Sequence, residues 1–200
     1  MSTGNVAGQW HTVYNTIDFS KYQLNETVDV KAPLMFLGRL DRIKGVHTAI
    51  EVAKATGRQL IIAGNIPHTP DNLSYFKTEI EPKFDEQIKY IGALNDAEKN
   101  IWLGKAKALL FPIEWDEPFG IVMIEAMACG TPVIGFRRGS VPEVIQDGVN
   151  GFVVDNAMQM IASVDKINDI NRFICRETAK NRFKTSLIAK QYLHLFSEKS

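Results

Sequence analysis

The chain has 200 residues, 45% of them hydrophobic and 23% charged, and its 23 Lys and Arg balance its 23 Asp and Glu. That length is enough for one domain with a substantial core, and the zero net charge argues against nucleic-acid binding driven by bulk charge. Cys129 and Cys175 are the only cysteines. Both lie in partly apolar, helix-like stretches, so reduced thiols in a cytoplasmic protein are expected. Two cysteines without clustered histidines make no zinc site.

Met1–Gly8 has neither a basic start nor an apolar block, so it reads as a flexible leader and not as a signal peptide. No run of 18 apolar residues is present, and no membrane span is expected. Residues 1–32 are polar and irregular and read as leader and joint, ahead of one domain over residues 33–200. Strands are predicted at Leu34–Leu37, Leu60–Ala63, Ile88–Ile91, Ala108–Phe111, Pro132–Gly135 and Gly151–Val154. These are short continuous apolar runs bounded by Gly, Pro or Asn, the pattern of strands buried on both faces. Helices are predicted between them: Val46–Thr56, stopped by Gly57; Asp71–Glu81, stopped by Pro82; Asn95–Lys105; Phe119–Cys129, stopped by Gly130; and a short Val141–Gln146. From Asn156 onward the pattern is helical only, with Thr185 or Ser186 as a cap for Leu187–Phe196. Strands alternating with helices imply an α/β fold: a Rossmann-like, doubly wound parallel sheet of about six strands, with helices on both faces and a helical C-terminus. Such folds bind ligands beyond the carboxyl ends of the strands, where the strand order switches.

The strand-to-helix loops therefore carry the chemistry. The first, Gly38-Arg-Leu-Asp-Arg-Ile-Lys-Gly45, sets Arg39 and Lys44 beside a helix N-terminus, whose free N–H groups already favour anions. That combination suits a diphosphate, although Arg39 paired with a carboxylate and Lys44 in solvent is an equally ordinary outcome. The loop is neither a dinucleotide fingerprint nor a Walker loop. The second runs from Phe111 through Glu117-Pro-Phe-Gly120 into a helix holding Glu125. Eight residues of helix rise about 12 Å. A glycosidase pair needs carboxyls roughly 5–5.5 Å apart for retention, or roughly 6.5–9.5 Å for inversion, so the spacing argues against a hydrolytic dyad. It suits contacts to two separate hydroxyl-bearing parts of one long ligand. A carboxylate amid Val122, Ile124, Ala126 and Met127 also needs a partner. The third loop, Arg138-Gly-Ser-Val-Pro-Glu143, offers another anion-friendly helix start, with Glu143 in a structural part.

Taken together, Gly38-Arg39 with Lys44-Gly45, Glu117-Pro-Phe-Gly120 with Glu125-Ala-Met-Ala-Cys-Gly-Thr-Pro-Val133, and Gly139 to Glu143 resemble the carboxy-terminal domain of family 4 of the retaining glycosyltransferases, which have the GT-B architecture. The likeness runs from about Tyr14 to the end. It includes Asn15-Thr-Ile-Asp18, similar to the family's Asn-Gly-Ile-Asp joint but with Thr16 in place of Gly.

The resemblance implies a hexosyltransferase-type enzyme that moves a sugar from a nucleoside diphosphate sugar to an acceptor hydroxyl, with no metal and no other cofactor. It implies that Arg39 and Lys44 hold the donor diphosphate, Glu117 the transferred sugar and Glu125 the ribose. Gly38 and the backbone around Phe119, Gly120 and Ile121 would meet the sugar and phosphate. Gly64 and the Ile91–Leu94 loop would lie near the nucleoside, and Ile66 departs from the family's second glycine there. The implied partners are the nucleotide sugar and an acceptor-binding amino-terminal domain, absent here and supplied in cis or in trans. Two other classes stay open: a nucleotide-sugar-binding subunit without turnover, and a nucleotide-sugar epimerase, whose usual acid–base residues have no clear counterpart. Finally, Arg172, Arg176, Lys180 and Lys184 recur every four residues. The ordinary reading is a solvated helix face; the sharper one is peripheral contact with anionic lipid.

Overall fold

The computed structural model describes residues 10–197; the leader reading of Met1–Gly8 lies outside them. Six strands, β1 (Leu34–Leu37), β2 (Leu60–Ala63), β3 (Ile88–Tyr90), β4 (Ala108–Phe111), β5 (Val133–Phe136) and β6 (Gly151–Val154), form one parallel sheet in the order β3-β2-β1-β4-β5-β6. The strand order reverses between β1 and β4. Residues of β2 and β4 are buried throughout, as continuous apolar runs require when both faces are covered.

Helices α1 (Val46–Thr56), α2 (Pro70–Tyr75), α3 (Asp96–Lys105), α4 (Ile121–Ala128), α5 (Val141–Val144), α6 (Ala157–Lys166), α7 (Arg172–Phe183) and α8 (Thr185–Ser197) complete the fold. α1 packs against α6, while α4 packs against α3 and α7. α4 is buried from Met123 to Ala128, which is why almost every position in it is apolar. The helix expected over 71–81 changes character along its length. It is α-helical to Tyr75, takes a π turn over Phe76–Ile80 and tightens to a 3-10 turn over Glu81–Lys83. Pro82 has no N–H for the Thr78 carbonyl, so regular helix cannot run through it.

The basic run does not form one solvated face. Arg172 is 7% exposed and spends its guanidinium on the carbonyls of Asn25 (2.6 Å), Ala106 and Gly104 (both 3.0 Å) and on the Thr131 hydroxyl (2.6 Å). Arg176 donates to the carbonyls of Tyr22 (2.7 Å), Phe19 (2.9 Å) and Ala128. The two arginines stitch the stretch before β1 onto α3 and α4, because only a forked donor can reach several carbonyls at once. That stretch, expected as a joint, is anchored on the domain from Ile17 onward: Phe19 and Tyr22 are buried in the core, and Ile17 bridges to Lys184. Thr185 does not act as a free cap, since its hydroxyl donates to the Ile17 carbonyl at 3.2 Å. Both cysteines are free and buried, and burial pushes each thiol up to about 12. No helix among the described residues is long and apolar enough to cross a membrane.

Candidate functional site

The loops after β1, β4 and β5 converge at the carboxyl ends of the strands, beside the β1/β4 reversal. Close packing at glycines makes this convergence possible. Gly64 (φ 144°) lies so close to the first loop that a Cβ would sit 1.7 Å from the Gly38 carbonyl oxygen. Gly139 (φ 49°) packs on the second loop, where a Cβ would fall 2.4 Å from the Glu117 carbonyl oxygen. Hydrogen bonds tie the rest together: Glu114 N–H to Ile43 O (2.8 Å), Ser140 N–H to Glu117 O (2.9 Å) and the Ser140 hydroxyl to Phe119 O (2.8 Å). The constraint of this close approach falls on Gly64 and not on Gly38, where a Cβ would meet nothing nearer than the Phe36 ring at 3.8 Å.

Lys44 and Glu117, 73 residues apart, form a direct ion pair. The Lys44 ammonium also lies 5.0 Å from the centre of the Trp115 ring, and the Trp115 indole donates to Glu117 at 2.9 Å. Arg39 is exposed and pairs with Asp41 at 3.1 Å. Asp41 is itself buried, and its Oδ1 has no partner among the described residues. The N-termini of α1 and α4 open here, starting at Gly45 and Gly120 with no side chain to cap them, so their first N–H groups remain available to an anion. The Phe119 ring is buried against Tyr14 and Phe183, leaving only its backbone to this site; Ile121 is exposed.

Glu125 lies deeper, 7% exposed. The partner its apolar setting demands is double: the Tyr22 hydroxyl at 2.8 Å and the Lys99 ammonium at 2.7 Å, both on Oε1. Burial and the adjoining Glu125 push the Tyr22 hydroxyl above the ordinary tyrosine value. Burial works against the Lys99 charge, but its hydrogen bonds to Glu125 and Asp96 outweigh that and hold the ammonium above the ordinary lysine value. On the far side, Gly64 receives the Tyr90 hydroxyl on its carbonyl and donates its N–H to Gly92, both at 2.8 Å. Gly64 and the Ile91–Leu94 loop therefore stand together.

The predicted residues thus gather at one end of the sheet. Sequence reasoning did not find Tyr22, Asp41, Lys99 and Trp115. Lys99 sits an ordinary helical three residues from Asp96, and no local signal marks its reach to Glu125. Nor does it mark the His47 bridge from Glu114 (2.9 Å) to the Tyr75 hydroxyl (2.7 Å). Glu143, expected in a structural part, accepts from the Tyr14 hydroxyl at 3.0 Å.

A Klebsiella pneumoniae protein described as an uncharacterized 41.2 kDa protein in the cps region is 29% identical over 182 residues, which is 86% of this chain and 48% of that protein. The N-acetyl-alpha-D-glucosaminyl L-malate synthase of Bacillus anthracis is 25% identical, with 90% and 51% covered. The chain spans about half the length of these curated relatives. The fold is similar to that of Anabaena Alr3699/HepE, solved in complex with UDP-glucose (TM-score 0.77, 20% identity, 93% of this chain and 57% of that one). It is also similar to the C-terminal domain of the group 1 glycosyl transferase LpcC of Francisella tularensis (TM-score 0.71, 24% identity, 84% and 99%). The sequence matches the family described as glycosyl transferases, group 1, over residues 20–181, and the chain belongs to that family.

Proposed function

We propose that this chain binds the donor of a retaining, hexosyltransferase-type reaction, in which a nucleoside diphosphate sugar gives its sugar to an acceptor hydroxyl. The observation that carries this reading is the convergence of Arg39, Lys44 and two uncapped helix starts where the strand order reverses. UDP-glucose bound to the Anabaena protein of similar fold supports it. In this reading Arg39, Lys44 and the α4 N-terminus hold the diphosphate, Glu117 the sugar and Glu125 the ribose. As the anomeric C–O bond breaks, the diphosphate takes the electron pair, and fixed positive charge stabilises it more in the transition state than before. The acceptor oxygen bonds to the anomeric carbon on the face the diphosphate leaves, and its proton passes to the departing phosphate oxygen. A donor diphosphate competes with Glu117 for the Lys44 ammonium, so binding separates a pair that is otherwise closed. Acceptor recognition falls to the part of the relatives that this chain does not span. Holding the acceptor against the anomeric carbon supplies about 7–11 kcal/mol of a barrier of this kind, so the chain binds donor by itself and transfers efficiently only with that part present.

Calorimetric titration with UDP-, GDP- and ADP-sugars, each with and without a chelator, tests the proposal. One donor series binds, chelation leaves the affinity unchanged, and Arg39→Ala weakens it. Absence of binding in all three series, or its loss on chelation, overturns the reading.

A further inference from the structure

We propose that the cavity at the amino-terminal ends of β4 and β5, at the opposite end of the sheet from the donor site, binds a phosphate group. Its key residue is Lys107, which directly precedes β4. Lys107 is 7% exposed, and its backbone N–H is spent on the Pro33 carbonyl at 2.8 Å. Its ammonium has no carboxylate, carbonyl or hydroxyl partner among the described residues, and it is not among their fully enclosed polar atoms, so the buried stem presents it to the cavity. The other buried cation among the described residues, Arg172, is paired and holds four oxygens, and the partly exposed Lys99 holds two carboxylates. Lys107 is the exception, and it lines a cavity of about 220 Å³.

The surroundings of that cavity are those of an oxyanion site. Arg172 forms part of the wall and contributes positive charge while its donors stay bound to protein. Asn171, also in the wall, starts the 12-residue α7, so the positive end of that helix dipole opens on the same space. Thr27 and Asn168 add a hydroxyl and an amide. Burial, with Arg58 and Arg172 nearby, holds the Lys107 ammonium below the ordinary lysine value against the pull of Asp29. One acid, Glu26, lines the cavity without pairing to Lys107. Several donors around one unpaired cation suit a tetrahedral oxyanion, which offers acceptor oxygens in several directions.

Amide NMR titration of the whole chain at constant ionic strength, with inorganic phosphate in one arm and glycerol 3-phosphate in the other, tests this. Saturable shifts at Thr27, Val28 and Asn171 are expected, with binding about tenfold weaker in Lys107→Met, the loss of one charge-assisted contact. A stronger response to inorganic phosphate identifies the free ion as ligand, and a stronger response to the ester identifies a phosphorylated metabolite. Phosphate visiting the donor site shifts Gly38 and Gly120 instead, so failure here is distinct from failure of donor binding. Glu26→Gln removes the opposing carboxylate and tightens phosphate about threefold, a reading independent of whether Lys107→Met folds. Absence of saturable shifts around the cavity, equal affinity in Lys107→Met, or no gain in Glu26→Gln overturns the proposal.

Discussion

Helices α1 and α4, beside the strand-order reversal, begin differently from α3, α6 and α7. α3, α6 and α7 each start at an asparagine whose side chain accepts a first-turn N–H: Asn95 from Glu98, Asn156 from Gln159 and Asn171 from Ile174, all at 3.0 Å. α1 and α4 start at Gly45 and Gly120, both left-handed and without a side-chain cap. A cap of this kind is worth about 1 kcal/mol; the short α2 and α5 also lack one, but only α1 and α4 replace it with a left-handed glycine, and their N-termini face the candidate diphosphate site. Side-chain capping and donor binding are thus divided between these two sets of helix starts, and substitutions can separate them.

The largest effect is expected at a buried cation whose donors are all spent on the fold. Arg172→Met leaves three carbonyls and a hydroxyl without their donor and should cost about 3–5 kcal/mol in urea denaturation, with donor affinity of the folded protein unchanged. Gly139→Ala sets a left-handed backbone against a Cβ clash with the second loop and should cost about 2–4 kcal/mol. Gly148→Ala, also left-handed but with open space around it, should cost about 1–2 kcal/mol. If the two glycine variants cost the same, the packing of the third loop on the second is not what fixes Gly139.

Binding variants sharpen the other half of the contrast. Arg39→Ala should weaken a nucleoside diphosphate by about 1.5–3 kcal/mol in calorimetry and, by leaving the buried Asp41 without its ion-pair partner, also lower the melt by about 1–3 kcal/mol. Asn156→Ala should cost about 1 kcal/mol of stability and no affinity. Glu117→Gln releases Lys44, so it should tighten nucleoside diphosphate while weakening the sugar-bearing donor. Equal effects on both ligands would break the division of roles between Glu117 and Glu125. The smallest effect concerns pH. Because Lys99 is held above its ordinary value in the folded state, its contribution is complete below the unfolded lysine value of about 10.4 and declines above it. Wild-type melts should therefore keep a constant margin over Lys99→Met up to about pH 10 and lose it at higher pH.

Much of this architecture is legible locally. Leu34–Leu37, Leu60–Ala63 and Ala108–Phe111 read directly as buried strands because continuous apolar runs bounded by breakers admit little else. Val46–Thr56 ends where Gly57 ends it. The positions of Arg39, Lys44, Glu117 and Glu125 follow from their loops, since each lies within a few residues of a strand or helix end. Glu125 announced that it needed a partner, but its identity was hidden: Tyr22 comes from 103 residues away and Lys99 from 26, separations at which periodicity carries no information.

The same limit explains where the periodic reading failed. Arg172, Arg176, Lys180 and Lys184 share a spacing, and spacing implies a shared helix face. It does not say which residues that face meets. α7 packs against α4, so its first two arginines turn inward onto carbonyls left at the ends of α3 and α4. By itself the sequence determined the element types, the strand-to-helix alternation and the loops that carry charge, because these depend on neighbours in the chain. Only the tertiary structure decided the strand order, the pairing of Lys44 with Glu117, the burial of Arg172 and the isolation of Lys107. These depend on which distant segments close around a charge, and burial sets the cost of leaving that charge unpaired.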